Sequence, residues 1–84
     1  MATVTITPEA LRQAERLPAS IRNRLRRVAI KLENWPAVSG AKPLSGKLAG
    51  RYRIRTGDYR MQFHVEGNLI VVEKIGHRDR FYED

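Results

Sequence analysis

Arg51, Arg53 and Arg55 occupy alternate positions of one short segment, and Arg60, His77, Arg78 and Tyr82 follow at the edges of the segments behind it. Successive side chains of a β-strand point to opposite faces, so a strand over 51–55 puts all three guanidinium groups on one side. Guanidinium is a planar, permanently charged fork of donors matched to phosphate oxygens, and a one-sided row of such groups is costly unless an anion neutralises it. The chemistry within reach is binding of a phosphodiester backbone, with RNA as the anion, and any proton transfer beside it would need a group other than arginine. Guanidinium does not give up its proton in proteins, so the arginines cannot serve as the base. The proton carriers left are Tyr82 and His77, with His64 third.

The elements that must hold these residues can be read from pattern. Thr3-Val4-Thr5-Ile6 alternates and is β-branched, which predicts a first strand. Thr7 is a good N-cap, Pro8 suits the first helical position and Glu9 suits the positive end of the dipole. Leu11, Ala14 and Leu17 give that helix a narrow apolar stripe, and Pro18 ends it. A second helix from about Ala19 to Asn34 carries Ile21, Leu25, Val28 and Leu32 at helical spacing, closed by Trp35-Pro36. From Pro36 to Gly50 no period is sustained, which predicts a long ordered loop. Strands over Tyr52–Thr56, Tyr59–Val65 and Leu69–Ile75 follow, joined by turns at Gly57-Asp58 and Gly67-Asn68. The expected architecture is α+β, in the order β-α-α-β-β-β, with a helical hairpin on one face of a mostly antiparallel four-stranded sheet. Tyr59, Met61, Phe63 and Val65 should face the helices, and Arg60, Gln62 and His64 the solvent. Trp35, Tyr52 and Tyr59 are expected to be packing residues.

At 84 residues the expectation is one domain spanning 1–84. No apolar run approaches the roughly 18 to 20 residues of a membrane span. With no basic-then-apolar leader and no cysteine, a cytoplasmic protein without disulfides is expected. Two histidines and no cysteine give no zinc-site pattern, and neither metal nor cofactor is expected. The net charge of +7 divides unevenly, with nine Lys/Arg against three Asp/Glu in residues 1–50 and seven against six in 51–84. Charge of that sign favours an anionic partner without naming it. On the second helix Arg24, Arg27 and Lys31 align at three and four, a stripe that could meet further RNA phosphates.

The element order, together with Arg51-Tyr52-Arg53-Ile54-Arg55, Gly57-Asp58-Tyr59-Arg60 and Gly76-His77-Arg78, resembles the RelE/ParE superfamily of bacterial toxins. Lys42-Pro43-Leu44 and the glycine-rich loop into the arginine segment look like the family's entry to its sheet. The resemblance spans nearly the whole chain. It implies a toxin of a type II toxin-antitoxin system, held inactive by a small acidic cognate antitoxin. RelE-like members cleave messenger RNA on the ribosome without a metal; ParE-like members poison DNA gyrase and lack the basic catalytic set.

On the RelE-like reading Arg60 and Arg78 stabilise the transition state, and Arg51, Arg53 and Arg55 bind RNA. Tyr82, preferred because the family pattern has a tyrosine there, or His77 moves the proton, and Arg24, Arg27 and Lys31 touch ribosomal RNA. The second-strand positions, often lysine in such enzymes, are arginine at 53 and 55. The alternatives are a gyrase-directed toxin on the same scaffold and an inactive nucleic-acid-binding module.

Overall fold

Thr7 begins the helical part of the chain as its sequence demands: its backbone is extended and its Oγ1 accepts a hydrogen bond from Ala10 N at 3.1 Å. The structure, a computed structural model, describes residues 1–81. Strand β1 (Thr3–Ile6) leads into helix α1 (Pro8–Glu15), followed by α2 (Ala19–Lys31), β2 (Lys42–Pro43), β3 (Arg51–Thr56), β4 (Tyr59–Glu66) and β5 (Leu69–His77). Among the described residues, no helix is long and apolar enough to cross a membrane.

The sheet has five strands in the order β1-β5-β4-β3-β2, one more than expected. The extra strand is β2, two residues within the segment expected to be loop, antiparallel to β3 through Lys42↔Arg53 and Pro43↔Tyr52. Two residues are too few to show a period, and a proline is tolerated because this strand lies at the sheet's edge. A short 3-10 turn at Gly46–Leu48 also interrupts the expected loop. β1 runs parallel to β5, and the remaining pairs are antiparallel.

Both helices cover one face. Leu25, Val28 and Leu32 are buried as the spacing predicts, against Ile54, Met61, Phe63, Ile70, Val72 and Ile75 of the sheet. Each such side chain contributes roughly 1.5–3 kcal/mol through burial. The stripe of α1 differs from expectation: Leu11 is 48% exposed and Ala10 fully buried. An alanine there lets α1 lie close to β5, and Gln13, one turn on, accepts from Ile75 N at 2.8 Å. α2 also ends earlier than expected, and Leu32–Asn34 forms a 3-10 turn. Trp35 precedes a proline and is extended, at ψ 136, so the α-helix cannot continue through it. Its ring then wedges edge-on against Tyr52 and Phe63, at 4.7 and 5.4 Å between centroids.

One irregularity shapes the opposite face. Gln62 pairs with Lys74 but Phe63 pairs with Val72, so Glu73 is an extra residue in β5. The bulge turns Glu73 to the side that carries the arginines.

Candidate nucleic-acid interface and catalytic face

Residues paired across antiparallel strands share a face, so the β3–β4 register lays out the arginine side row by row: Arg51 beside His64, Arg53 beside Gln62 and Arg55 beside Arg60. On β5 these rows continue to Val71, Lys74 and Gly76. Neighbouring rows are about 6.6 Å apart, two residues of strand rise.

The row at one end is neutralised within the protein. Glu73 Oε1 accepts from Arg51 Nε at 2.7 Å and from Gln62 Nε2 at 2.9 Å, while its Oε2 meets His64 Nδ1 at 3.0 Å. Gln62, expected on the wet side, is only 7% exposed because this node covers it. Burial pushes the Glu73 carboxyl up, but its hydrogen bonds from Gln62 and His64 and the Arg51 charge outweigh that and hold it below its ordinary value. His64 is raised above the ordinary histidine value, first by its hydrogen bond to Glu66 at 2.6 Å; partial burial opposes this and Glu73 reinforces it. Both ring nitrogens of His64 are engaged by carboxylates, Nδ1 by Glu73 at 3.0 Å and Nε2 by Glu66 at 2.6 Å, which weakens its case as a base.

At the other end the cations gather. Arg55 is exposed and directly opposite Arg60. Arg60 Nη1 reaches back to the carbonyls of Gly57 and Tyr59 at 3.5 and 3.4 Å. Arg78 arrives at the same turn, its N–H donating to Asp58 O at 2.8 Å and its Nη1 lying 3.8 Å from Asp58 Oδ1. Its Nε is also 3.5 Å from Asp79, and all three side chains are largely exposed. Such pairs are worth about 0–1 kcal/mol and yield readily to a competing anion. Gly76, the register partner of Arg60, has no side chain, and the buried Phe81 ring lies where a β-carbon would meet it at 3.5 Å. Lys74 Nζ sits 4.8 Å above that ring. Arg53, half-buried, stands between the two ends.

Arg53, Arg55, Arg60 and Arg78 therefore lie on or at the end of one face, with Arg51 tied off by Glu73. His77 is elsewhere: it pairs with Tyr59, on the face that carries Met61, and its ring meets the Tyr59 ring edge-on at 5.3 Å. Its Nδ1 accepts from Asp79 N at 3.2 Å, so its other nitrogen is the one available for chemistry. It lines a cleft of ≈ 410 Å³ with Tyr59, Lys74 and Arg80 at the sheet's corner. Tyr82 lies outside the described residues. On α2, Arg27 and Lys31 are exposed, but Arg24 is half-buried and leaves the stripe, its guanidinium resting over Gly57.

The sequence reading overlooked Glu73, the node that divides the face. A signal existed: the buried positions Ile70, Val72 and Ile75 are spaced two and then three, the phase slip of a bulge.

A helical pair backing a mostly antiparallel sheet, with arginines gathered at one end of the open face, defines a small α+β protein. Its sequence from 4 to 82 matches the family described as the ParE toxin of type II toxin-antitoxin system, parDE. The chain belongs to that family, and it is a toxin of a type II toxin-antitoxin system. Toxin RelE3 of Methanocaldococcus jannaschii is 28% identical over 76 residues, 87% of this chain and 86% of the relative. Among solved structures, the RelBE2 toxin-antitoxin complex from Mycobacterium tuberculosis contains a chain 28% identical to this one. That match has a TM-score of 0.81 and covers 92% of this chain and 98% of the other. The RelE-RelB complex from Pyrococcus horikoshii gives 26% identity and a TM-score of 0.75, over 94% and 97%.

Proposed function

We propose that this toxin is an endoribonuclease that cuts messenger RNA on the ribosome, with arginines in place of a metal supplying the positive charge. The observation that supports it most is the facing pair Arg55 and Arg60, beside Arg78 at the Gly57-Asp58 turn. Like charges directly across a ladder are destabilising, and an arriving phosphodiester relieves that cost.

The reaction is attack of a ribose 2′-oxygen on the adjacent phosphorus. The 2′-O–P bond forms, the P–O5′ bond breaks, and the products are a 2′,3′-cyclic phosphate and a 5′-hydroxyl. The 2′-hydroxyl proton passes to a base and a proton is delivered to O5′, so no co-reactant is consumed. Arg60 and Arg78 would stabilise the charge growing on the phosphoryl oxygens, each worth roughly 3–4 kcal/mol if held in a water-poor site. Arg53 and Arg55 would hold the flanking phosphates in line with the attack. Tyr82 is the preferred proton carrier, with His77 reaching the scissile group only if the RNA turns the corner of the sheet. Arg27 and Lys31 would touch ribosomal RNA. The partner that silences the toxin would be a small acidic antitoxin covering the arginine face; the similar RelE toxin of Methanococcus jannaschii was solved in complex with its RelB antitoxin.

The matched family carries the ParE description, which favours a second reading, a non-hydrolytic toxin directed at DNA gyrase. Purified toxin added to ribosomes programmed with messenger RNA separates the two. Cuts inside the coding region ending in cyclic phosphate are expected; intact transcripts together with inhibited gyrase would move the function to that branch.

A further inference from the structure

The Gly57-Asp58 turn is approached from a third direction. Gly57 has φ +59, a conformation few side chains accept, and a β-carbon built there would fall on the Arg24 guanidinium. Arg24 comes from α2, on the far side of the sheet, and reaches over its end to lie against this backbone. Arg60 Nη1 is 3.5 Å from Gly57 O, and Arg78 Nη1 is 3.8 Å from Asp58 Oδ1. Three guanidinium groups from three separate elements thus meet a single two-residue turn whose own carboxylate is Asp58.

We propose that Arg24 is a member of the substrate-phosphate site with Arg60 and Arg78, rather than part of a ribosome-facing stripe with Arg27 and Lys31; the assignment rests on the ribonuclease reading above. A residue whose role was to strap α2 to the sheet would spend its donors on a partner. Arg24 makes no hydrogen bond or ion pair with another described residue, although guanidinium carries five N–H donors. Arg24 is half-buried and its guanidinium lies against the same turn that Arg60 and Arg78 contact, a placement that becomes favourable once a phosphate enters there. Gly57 supports this by keeping its own side of the turn bare. The helical layer then contributes directly to a site that otherwise belongs to the strands.

The test uses the full-length chain and a short single-stranded RNA that carries 2′-O-methyl groups and so cannot be cut. Arg24→Ala should lower the slope of log affinity against log salt by about 0.7, the loss of one phosphate contact. It should also slow single-turnover cleavage at saturating ribosomes about tenfold or more. Arg24→Lys should restore the salt slope while recovering only part of the rate, because the charge returns without the fork. Arg12→Ala, which removes an exposed α1 arginine paired with Glu9, is the control and should change neither.

An unchanged slope in Arg24→Ala overturns the assignment, whether or not the melting temperature falls. A wild-type protein that binds the oligomer with an Arg24-dependent slope but cuts nothing leaves Arg24 in the phosphate site and removes the ribonuclease reading. A wild-type protein that neither binds nor cuts removes both.

Discussion

Arg55 stands directly opposite Arg60 across the β3–β4 ladder, two like charges where sheets usually pair opposite ones. The arrangement is a cost carried by the free protein. Arg55→Gln should therefore stabilise it, by roughly 0.2–1 kcal/mol at low salt. For a chain of this size that is a rise in melting temperature of about 1–8 °C, disappearing as salt screens the pair. The same substitution should weaken RNA binding. Melting curves at two ionic strengths, read beside a binding isotherm, check both halves; destabilisation at low salt would mean that the charges are not opposed.

Arg60 and Arg78 are expected to act on the reaction rather than on the fold. Arg78 is exposed and its ion pairs with Asp58 and Asp79 span 3.8 and 3.5 Å, so Arg78→Ala should alter stability by less than about 0.5 kcal/mol. Loss of one charge-stabilising donor should nonetheless slow single-turnover cleavage on the ribosome about 100-fold or more, and Arg60→Ala should do the same. Cleavage at the wild-type rate in either folded variant would remove that residue from the site.

How far the sequence anticipates this molecule depends on where its periodicity holds. The alternation of Met61 and Phe63, and the spacing of Leu25, Val28 and Leu32, predict buried residues that the structure buries, because a single face of each element meets the core. Legibility fails where a local event interrupts the period. β2 is too short to have one, and α1 buries Ala10 instead of Leu11 because close approach to β5 selects the smaller side chain. The arginine face could be foreseen as a row from 51, 53 and 55, but not its division, since only the bulge brings Glu73 onto it. Nor does the α2 sequence alone reveal that Arg24 leaves its neighbours for Gly57, a contact that exists only when helix and turn are folded together.

The Glu73 node gives a prediction about stability. Its carboxylate satisfies the amide of Gln62, which is 7% exposed, and joins Arg51 at 2.7 Å. Glu73→Ala leaves that amide without its acceptor, a loss of about 1–3 kcal/mol. The Arg51 part of that loss should be small, since its side chain is 40% exposed and water takes over the charge. A fall of several degrees in melting temperature is expected, with Gln62→Leu in the same background recovering part of it by removing the stranded amide. No destabilisation would mean that the node is solvated and carries little.

The same node sets a pH dependence whose two limbs have opposite signs. Glu73 is held below its ordinary value of 4.5: burial opposes this, but its hydrogen bonds from Gln62 and His64 and the charge of Arg51 prevail. Its contribution is present above pH 4.5 and is lost as pH falls through the depressed value. His64 is raised above 6.5, chiefly by its hydrogen bond to Glu66, with burial opposing and Glu73 adding. Its contribution is complete below pH 6.5 and is lost as pH rises through the raised value, when the imidazolium between two carboxylates gives up its proton. Between these limits, from 4.5 to 6.5, both contributions are intact and this node stabilises the fold most. Urea midpoints across pH 3 to 9 should decline on the alkaline side in the wild type, and His64→Gln should flatten that limb; the acid limb should shrink but remain, because Gln62 and Arg51 still act on Glu73. An alkaline decline that survives His64→Gln would assign it to another group.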